Sequence, residues 1–242
     1  MTSLKSDPKN KKKKLDKGHW ISLKQVVKIY PSLAGPVTAL KGIDLQIDRG
    51  DFAVIAGKSG SGKTTLINMI SGLDGLSSGE IWIGEVALHQ FDPESAAHWR
   101  GINIGVVFQT FDLLPTLTIL QNVMLPMDFA RRNNPPQQRE RALQLLKQVD
   151  ILEHAYKTPS ALSGGQQQRA AIARAMANDP MLLLADEPTG SLDSSTADSI
   201  LDIFETLTDQ GTTVILVTHD RDVARRGSRV ITLSDGEIVH PS

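Results

Sequence analysis

The sequence contains no cysteine, which excludes disulfide bonds and thiolate metal sites. It also has no run of the roughly 20 apolar residues that a helix needs to cross a bilayer. The N-terminus carries no apolar segment of the kind found in secretory signal peptides, so we expect no signal peptide. The absence of cysteine fits a location in the cytosol.

Charge is distributed unevenly along the 242 residues, although the formal net charge is only -1. Residues 1–17 contain seven lysines and two aspartates, a charge of +5, so the remainder carries -6. We predict that residues 1–18 form a disordered, solvated tail, because they show no apolar periodicity. Weak attachment of this tail to anionic lipid is the alternative. Residues 19–242 suffice for one large domain or for a core with a subdomain.

A glycine-rich stretch follows the apolar run 52–56 and precedes the helical pattern 66–70. This stretch fits the G-x-x-x-x-G-K-[ST] phosphate-binding loop and reads Gly57-Lys58-Ser59-Gly60-Ser61-Gly62-Lys63-Thr64-Thr65. The glycines let backbone N–H groups face an oxyanion, and the following helix adds its positive end. Lys63 can reach the β- and γ-phosphates, the Thr64 hydroxyl can ligate magnesium, and Thr65 can bond the α-phosphate. Alone, the stretch predicts nucleotide binding and leaves the kind of NTPase open.

Apolar patterns elsewhere predict alternating strands and helices. Two half-buried antiparallel strands are expected first, at 21–30 and 43–47. Further strands are expected at 52–56, 79–84, 102–108, 181–185, 213–217 and 229–233. Helices are expected at 62–73 and 194–208, while residues 110–180 show helical patterns alone, broken at Asn133-Asn134-Pro135-Pro136. The predicted fold class is therefore α/β, with a mainly parallel sheet core, an N-terminal antiparallel β subdomain and an inserted helical subdomain at about 110–180.

Paired carboxylates follow the apolar segment 182–185. At the end of a parallel strand beside the phosphate loop, Asp186 can hold magnesium through a water molecule. Glu187 projects in a different direction and can orient, or take a proton from, the water that attacks a γ-phosphate. Acid pairs after strands are also common as solvated turns, so this pair predicts catalysis only in combination with the phosphate loop.

A second candidate anion site lies directly before the helical run 167–177, and it reads Leu162-Ser163-Gly164-Gly165-Gln166. Ser163 can cap this helix, and the two glycines expose N–H groups at its positive end. An ordinary helix start is the simpler interpretation, but glycine costs up to about 1 kcal/mol in a helix. The chain thus carries two candidate anion sites about 100 residues apart.

Together these motifs resemble the ATP-binding subunit of ABC transporters over essentially all of residues 20–240. Leu162 to Gln166, continuing into Gln167-Gln168-Arg169, is similar to the signature of that family. The resemblance implies a P-loop NTPase (RecA-like) core, ATP and Mg2+ as ligands, and ATP hydrolysis as the activity. It implies adenine stacking for Tyr30, and contact with magnesium and the attacking water for Gln109.

The same resemblance implies that Asp193 belongs to a loop crossing a dimer interface and that His219 contacts the γ-phosphate. Considered alone, Tyr30 and His219 are more often packing residues than ligands. In this family two copies pack head to tail, so that ATP lies between the phosphate loop of one copy and the signature of the other. A membrane permease on a separate chain and a peripheral position on the cytoplasmic face of the cell membrane are implied as well.

The segment around Gln109 resembles the lipoprotein-release and macrolide-export group of this family, and the related cell-division ATPase and antimicrobial-peptide exporters are similar here. The similar residues are Arg100, 104–109, Phe111, 113–115, 117–118, 122–123 and 125–126. This resemblance implies export, or extrusion of lipoprotein, lipid or peptide. Phe111, Leu113 and Leu114 either help to form a groove for a cytoplasmic helix of the permease or pack within the helical subdomain.

Three classes of protein could carry these motifs. An ATPase subunit of a transporter is favoured. A soluble ABC protein acting on nucleic acid or ribosomes typically has two cassettes or a long coiled-coil insertion, and neither is present, so we expect no nucleic-acid partner. A GTPase needs an Asn/Thr-Lys-x-Asp guanine reader, which is absent, and a small-molecule kinase does not explain Leu162 to Gln166.

Overall fold

The structure, a computed structural model, describes residues 19–33, 35–130 and 134–239. The predicted lysine-rich tail, 1–18, and Asn133 of the predicted break therefore lie outside the described residues. The strands are β1 (Ile21–Tyr30), β2 (Val37–Ile47), β3 (Phe52–Ala56), β4 (Ser78–Ile83), β5 (Val86–Ala87), β6 (Ile104–Val107), β7 (Leu182–Asp186), β8 (Thr213–Thr218), β9 (Arg229–Ser234) and β10 (Glu237–Val239). The helices are α1 (Lys63–Ser71), α2 (Pro93–Asn103), α3 (Ile119–Phe129), α4 (Pro135–Gln148), α5 (Gly164–Ala175), α6 (Ser194–Asp209) and α7 (Arg221–Ala224).

The first sheet is antiparallel, with the strand order β2-β1-β4-β5. Ile21 is paired with Ile47 on one side and with Ile83 on the other. All three side chains are buried, and they belong to an apolar cluster that also includes α1 and one face of the second sheet. The alternating apolar pattern of β1 thus packs this sheet against the phosphate-loop side of the molecule.

The second sheet has the order β10-β9-β3-β8-β7-β6 and is parallel except for β10. Its central strands β3, β7 and β8 are buried along most of their length, as expected for parallel strands covered on both faces. Because the carboxyl ends of parallel strands meet at one edge, the segments that follow β3, β7 and β8 converge there.

Helices α3, α4 and α5 form the helical part of the fold. Among the described residues between 110 and 180 there is no strand, as predicted. Two details of the prediction are wrong. Pro135 and Pro136 do not merely break a pattern: they begin α4, where Asn134 caps the helix and Pro135 needs no hydrogen-bond partner for a backbone N–H. The strand expected from Ile102 begins only at Ile104, because α2 extends to Asn103.

Four elements were missed by the sequence patterns, namely β5, α2, α7 and β10. Asp92 caps α2 by accepting hydrogen bonds from the backbone N–H groups of Glu94 and Ser95, and Pro93 occupies the first turn. Strand β10 follows the turn at Asp235 and Gly236 and pairs with β9. No helix in the described part of the chain is long and apolar enough to cross a membrane.

Candidate nucleotide-binding site

The phosphate loop connects the end of β3 to the start of α1. Gly60 and Gly62 have φ angles of 79° and 102°, in the left-handed region that glycine tolerates. A Cβ atom on Gly57 would lie 2.3 Å from the carbonyl oxygen of Leu233, so only glycine lets β9 approach the loop so closely. Ser61 is buried within the loop, and its backbone carbonyl accepts a hydrogen bond from the N–H of Gly236.

Lys63 is the first residue of α1, and its side chain is buried in the cleft above the loop. Its Nζ donates hydrogen bonds to the carbonyl oxygens of Gly57, at 2.9 Å, and Lys58, at 3.0 Å. Nζ also lies 3.7 Å from Oε1 of Glu187. A single ammonium group therefore links the loop to the carboxylate at the end of β7.

Asp186 ends β7 and lines the same cleft as Thr64. Burial raises the pKa of the Asp186 carboxyl, and the neighbouring Glu187 acts in the same direction, whereas Thr64 and Lys63 oppose the shift. The half-buried Asp186 carboxyl, the Thr64 hydroxyl and the Gln109 side chain line the same cleft and supply the oxygen ligands that Mg2+ prefers. These residues therefore fit a magnesium ion.

Glu187 follows β7 with φ at 46°, a left-handed backbone conformation rare for residues other than glycine. Its N–H donates to the carbonyl oxygen of Val217, and its own carbonyl accepts from Gly190. Its Oε2 accepts a hydrogen bond from Nδ1 of His219 at 2.8 Å. The ends of β7 and β8 thus hold a carboxylate and an imidazole in direct contact.

Most of the predicted site residues line one cleft of about 750 Å³. Its predicted lining consists of Ser59, Gly60, Gly62, Lys63, Thr64, Thr65, Gln109, Asp186, Glu187 and His219. The rest of the lining was not predicted and consists of Val37, Thr38, Ala39, Lys41, Asp235 and Gly236. The Asp-Gly pair is recognisable in sequence as a turn, but β2 offers no chemical motif that would place it at this cleft.

The signature lies at the start of α5, outside the lining of this cleft. Ser163 caps α5, and its Oγ accepts a hydrogen bond from the backbone N–H of Gln166 at 3.3 Å. The Oε1 of Gln166 in turn accepts from the N–H of Ser163 at 3.0 Å, which completes a capping box. Gly164 and Gly165 pack against Leu192 and Thr196 respectively, so the signature contacts the loop and helix that follow β7.

Asp193 caps α6, the helix that follows this loop. Its carboxylate accepts hydrogen bonds from the hydroxyls of Ser195 and Thr196 and from the backbone N–H of Thr196. These bonds hold the pKa of the Asp193 carboxyl below its usual range. Asp193 does not line the cleft, so within one chain it contributes to the start of α6.

Tyr30 ends β1 and also lies outside the residues that line the cleft. Its hydroxyl donates a hydrogen bond to Oδ2 of Asp74 at 3.0 Å, and the Lys28 ammonium lies 4.7 Å from its ring centroid. The predicted stacking of Tyr30 on adenine stays a prediction.

A phosphate loop, two carboxylates and a histidine in one cleft of a mainly parallel sheet define a P-loop nucleotide-binding protein. Residues 40–190 match the family model described as ABC transporter. The chain is 46% identical over 222 residues to the ABC transporter ATP-binding protein MJ0796 of Methanocaldococcus jannaschii, an alignment covering 90% of this chain and 94% of that protein. The chain therefore belongs to the ABC transporter family.

Two further comparisons agree. The chain is 44% identical over 220 residues to the macrolide export ATP-binding/permease protein MacB of Syntrophobacter fumaroxidans, but spans only 31% of that protein. A dimeric structure of the MJ0796 ATP-binding cassette, in a post-hydrolysis state with ADP and Pi, superimposes with a TM-score of 0.85 at 44% identity, covering 91% of this chain and 97% of that one. The predicted fold class, family and ATPase class are confirmed.

Proposed function

We propose that this chain binds and hydrolyses ATP as the nucleotide-binding subunit of a transporter, and that two copies share each ATP. The observation that carries the proposal is the separation of the two anion-binding motifs. One cleft holds the phosphate loop, both carboxylates and His219, whereas Ser163 lies outside it at the capped start of α5. Within one chain, ATP in the cleft would therefore lack the signature.

Binding of a triphosphate gives Lys63 new partners. Its Nζ is held by the carbonyl oxygens of Gly57 and Lys58, and it can turn to phosphate oxygens without leaving the cleft. Ser59, Gly60, Gly62, Lys63, Thr64 and Thr65 line the same space, and the start of α1 places the positive end of a helix there. The loop thus supplies both a mobile cation and fixed dipoles to the phosphates.

Thr64, Asp186 and Gln109 are proposed to hold Mg2+ beside the phosphates. The metal, when bound, neutralises charge on the phosphate oxygens. Ionised Asp186 is destabilised by burial and by Glu187, so a cation in this position would relieve an unfavourable interaction already present in the fold.

Hydrolysis requires a group that positions water in line with the γ-phosphate. Glu187 is placed for this role because its backbone is fixed by Val217 and Gly190 and its carboxylate is oriented by His219. Glu187 accepts a proton from the attacking water, while His219 and Lys63 stabilise charge on the γ-phosphoryl group. Gln109, on the same cleft wall, orients the water and the metal.

A second copy, turned head to tail, is proposed to bring its Ser163, Gly164, Gly165 and Gln166 over the γ-phosphate. The N–H groups at the start of α5 would then complete the cradle, with Asp193 and its loop at the interface. The dimeric structure of MJ0796 supports this proposal.

The permease is proposed to be an integral membrane protein on a separate chain, which would place this subunit on the cytoplasmic face of the membrane. The name of MacB, macrolide export ATP-binding/permease protein, supports both a link to export and a permease partner. Of the three apolar residues after Gln109, Leu113 packs on the helical core and the Phe111 ring lies near Gly164. Leu114 is 43% exposed and is the best placed of the three to meet a partner helix.

The experiment that tests this function is substitution of Glu187→Gln, which keeps the side-chain shape and removes the base. We expect ATP binding to persist, turnover to fall by about 10²–10⁴-fold, and an ATP-bound dimer to accumulate. Sedimentation with MgATP measures the dimer, and phosphate release measures turnover. Native turnover in this variant, or a monomer at saturating MgATP, would refute the proposal.

A further inference from the structure

We propose that His154 is a positioning residue for the signature, acting through the side chain of Gln166. His154 ends a 3-10 turn, Leu152–His154, between α4 and α5, and no motif points to it. Its Nε2 lies 2.9 Å from Nε2 of Gln166, a residue placed in the proposed composite site. The inference rests on the proposed function, because positioning the signature matters only if the signature binds nucleotide.

The direction of this hydrogen bond follows from the capping box. The Oε1 of Gln166 accepts from the Ser163 N–H, so the other end of the carboxamide, which can only donate, faces His154. A neutral imidazole with its proton on Nδ1 accepts this bond through the lone pair on Nε2. Two hydrogen bonds at opposite ends thus fix the orientation of the Gln166 carboxamide.

The position of His154 is itself fixed. Its N–H donates to the carbonyl oxygen of Ile151, and its own carbonyl accepts from Lys157, both at 3.0 Å. Its side chain is only 13% exposed, and Nδ1 is buried with no hydrogen-bond partner among the described residues. The imidazole therefore reaches its polar neighbours through Nε2 alone, which faces Gln166 and, at 3.3 Å, Oε1 of Glu153.

The segment that carries His154 also holds the start of α3. The carbonyl oxygens of Ala155 and Lys157 accept from the N–H groups of Leu120 and Ile119, at 2.8 and 2.9 Å. Helix α3 begins ten residues after Gln109. Residues 152–157 are therefore bonded on one side to the helix that follows the Gln109 loop and on the other to the signature.

Loss of the imidazole would free one end of Gln166 and weaken its bond to the Ser163 N–H. In His154→Ala we expect faster amide hydrogen exchange at residues 163–166, measured in the monomer without nucleotide. We also expect the protein concentration for half-maximal MgATP-driven dimerisation to rise by about three- to tenfold, the range for losing one neutral hydrogen bond. The dimerisation measurement is made in the Glu187→Gln background. The affinity of the monomer for nucleotide should stay unchanged in His154→Ala.

Two companion variants separate positioning from general destabilisation. His154→Gln retains an acceptor oxygen and should restore both exchange protection and dimerisation. His98→Ala, on the exposed face of α2, serves as the matched histidine control and should leave both unchanged. Unchanged exchange at 163–166 in His154→Ala, or equal weakening of dimerisation in His154→Gln, would overturn the inference.

Ser163→Ala distinguishes failure of this inference from failure of the proposed function. If Ser163→Ala weakens dimerisation but His154→Ala does not, the His154 inference alone is wrong. If neither substitution affects dimerisation, while His154→Ala still speeds exchange at 163–166, the signature does not complete a shared site and the proposed function fails.

Discussion

Gly165 provides a close test of how the signature is packed. A Cβ atom on Gly165 would lie 2.4 Å from Cγ2 of Thr196, which is far below a van der Waals contact. Its φ angle is not in the left-handed region, so alanine meets no backbone strain there. The substitution Gly165→Ala therefore tests one contact between α5 and the start of α6.

The magnitude follows from two opposing effects. Overpacking costs about 1–3 kcal/mol, while alanine gains up to about 1 kcal/mol over glycine in a helix. Gly165→Ala should therefore lower the free energy of unfolding by about 1–2 kcal/mol. Thr196→Ser removes the methyl group, at a cost of about 0.8 kcal/mol or less, and retains the hydroxyl that donates to Asp193.

In the double variant the new Cβ occupies the space of the deleted methyl group. The other Thr196 atoms near the new Cβ, Cβ and Oγ1, lie at 3.7 and 3.8 Å, which are ordinary contacts. We expect the double variant to be more stable than the sum of the single variants by at least about 1 kcal/mol. Urea unfolding of the four proteins measures this coupling. Additivity within about 0.3–0.5 kcal/mol would refute the packing described here.

Two further substitutions test the cleft. Lys63→Ala should weaken ATP binding by about ten- to a hundredfold, because one charged hydrogen-bond donor to phosphate is lost. The control is Lys58→Ala, since Lys58 is an exposed lysine of the same loop and does not line the cleft. Equal affinities of the two variants would contradict the role of Lys63. Asp186→Asn should raise the melting temperature of the nucleotide-free protein at neutral pH, since the folded-state pKa of Asp186 is raised and its ionised form destabilises the fold. The gain should be on the order of 1 kcal/mol or less and should vanish below the unfolded-state pKa, where both states are protonated. A lower melting temperature at neutral pH would contradict this reasoning.

The phosphate loop and the ends of β7 and β8 could be predicted from sequence because their chemistry is local. The spacing from Gly57 to Thr64 specifies a loop between a strand and a helix, and parallel strands bring their carboxyl ends to one edge. This geometry places Asp186 and His219 beside the loop without knowledge of any side-chain contact.

Other parts of the site depend on contacts between distant segments. Ala39 and Gly236 line the cleft because the antiparallel sheet packs beside the turn before β10. The contact between His154 and Gln166 depends on how a short turn packs between α4 and α5. The N-terminus of helix α2, by contrast, could have been recognised in the sequence from the capping residue Asp92 and from Pro93. The helix has almost no apolar face, since Ala96 is its only buried residue.

The most direct test of the shared site mixes two inactive variants, Lys63→Ala and Ser163→Ala, and measures phosphate release from MgATP at high protein concentration. A mixed dimer would contain one intact site, built from the loop of the Ser163→Ala copy and the signature of the Lys63→Ala copy. We predict that each variant alone is inactive and that the mixture recovers hydrolysis. A mixture as inactive as its components would contradict the claim that two copies complete each site.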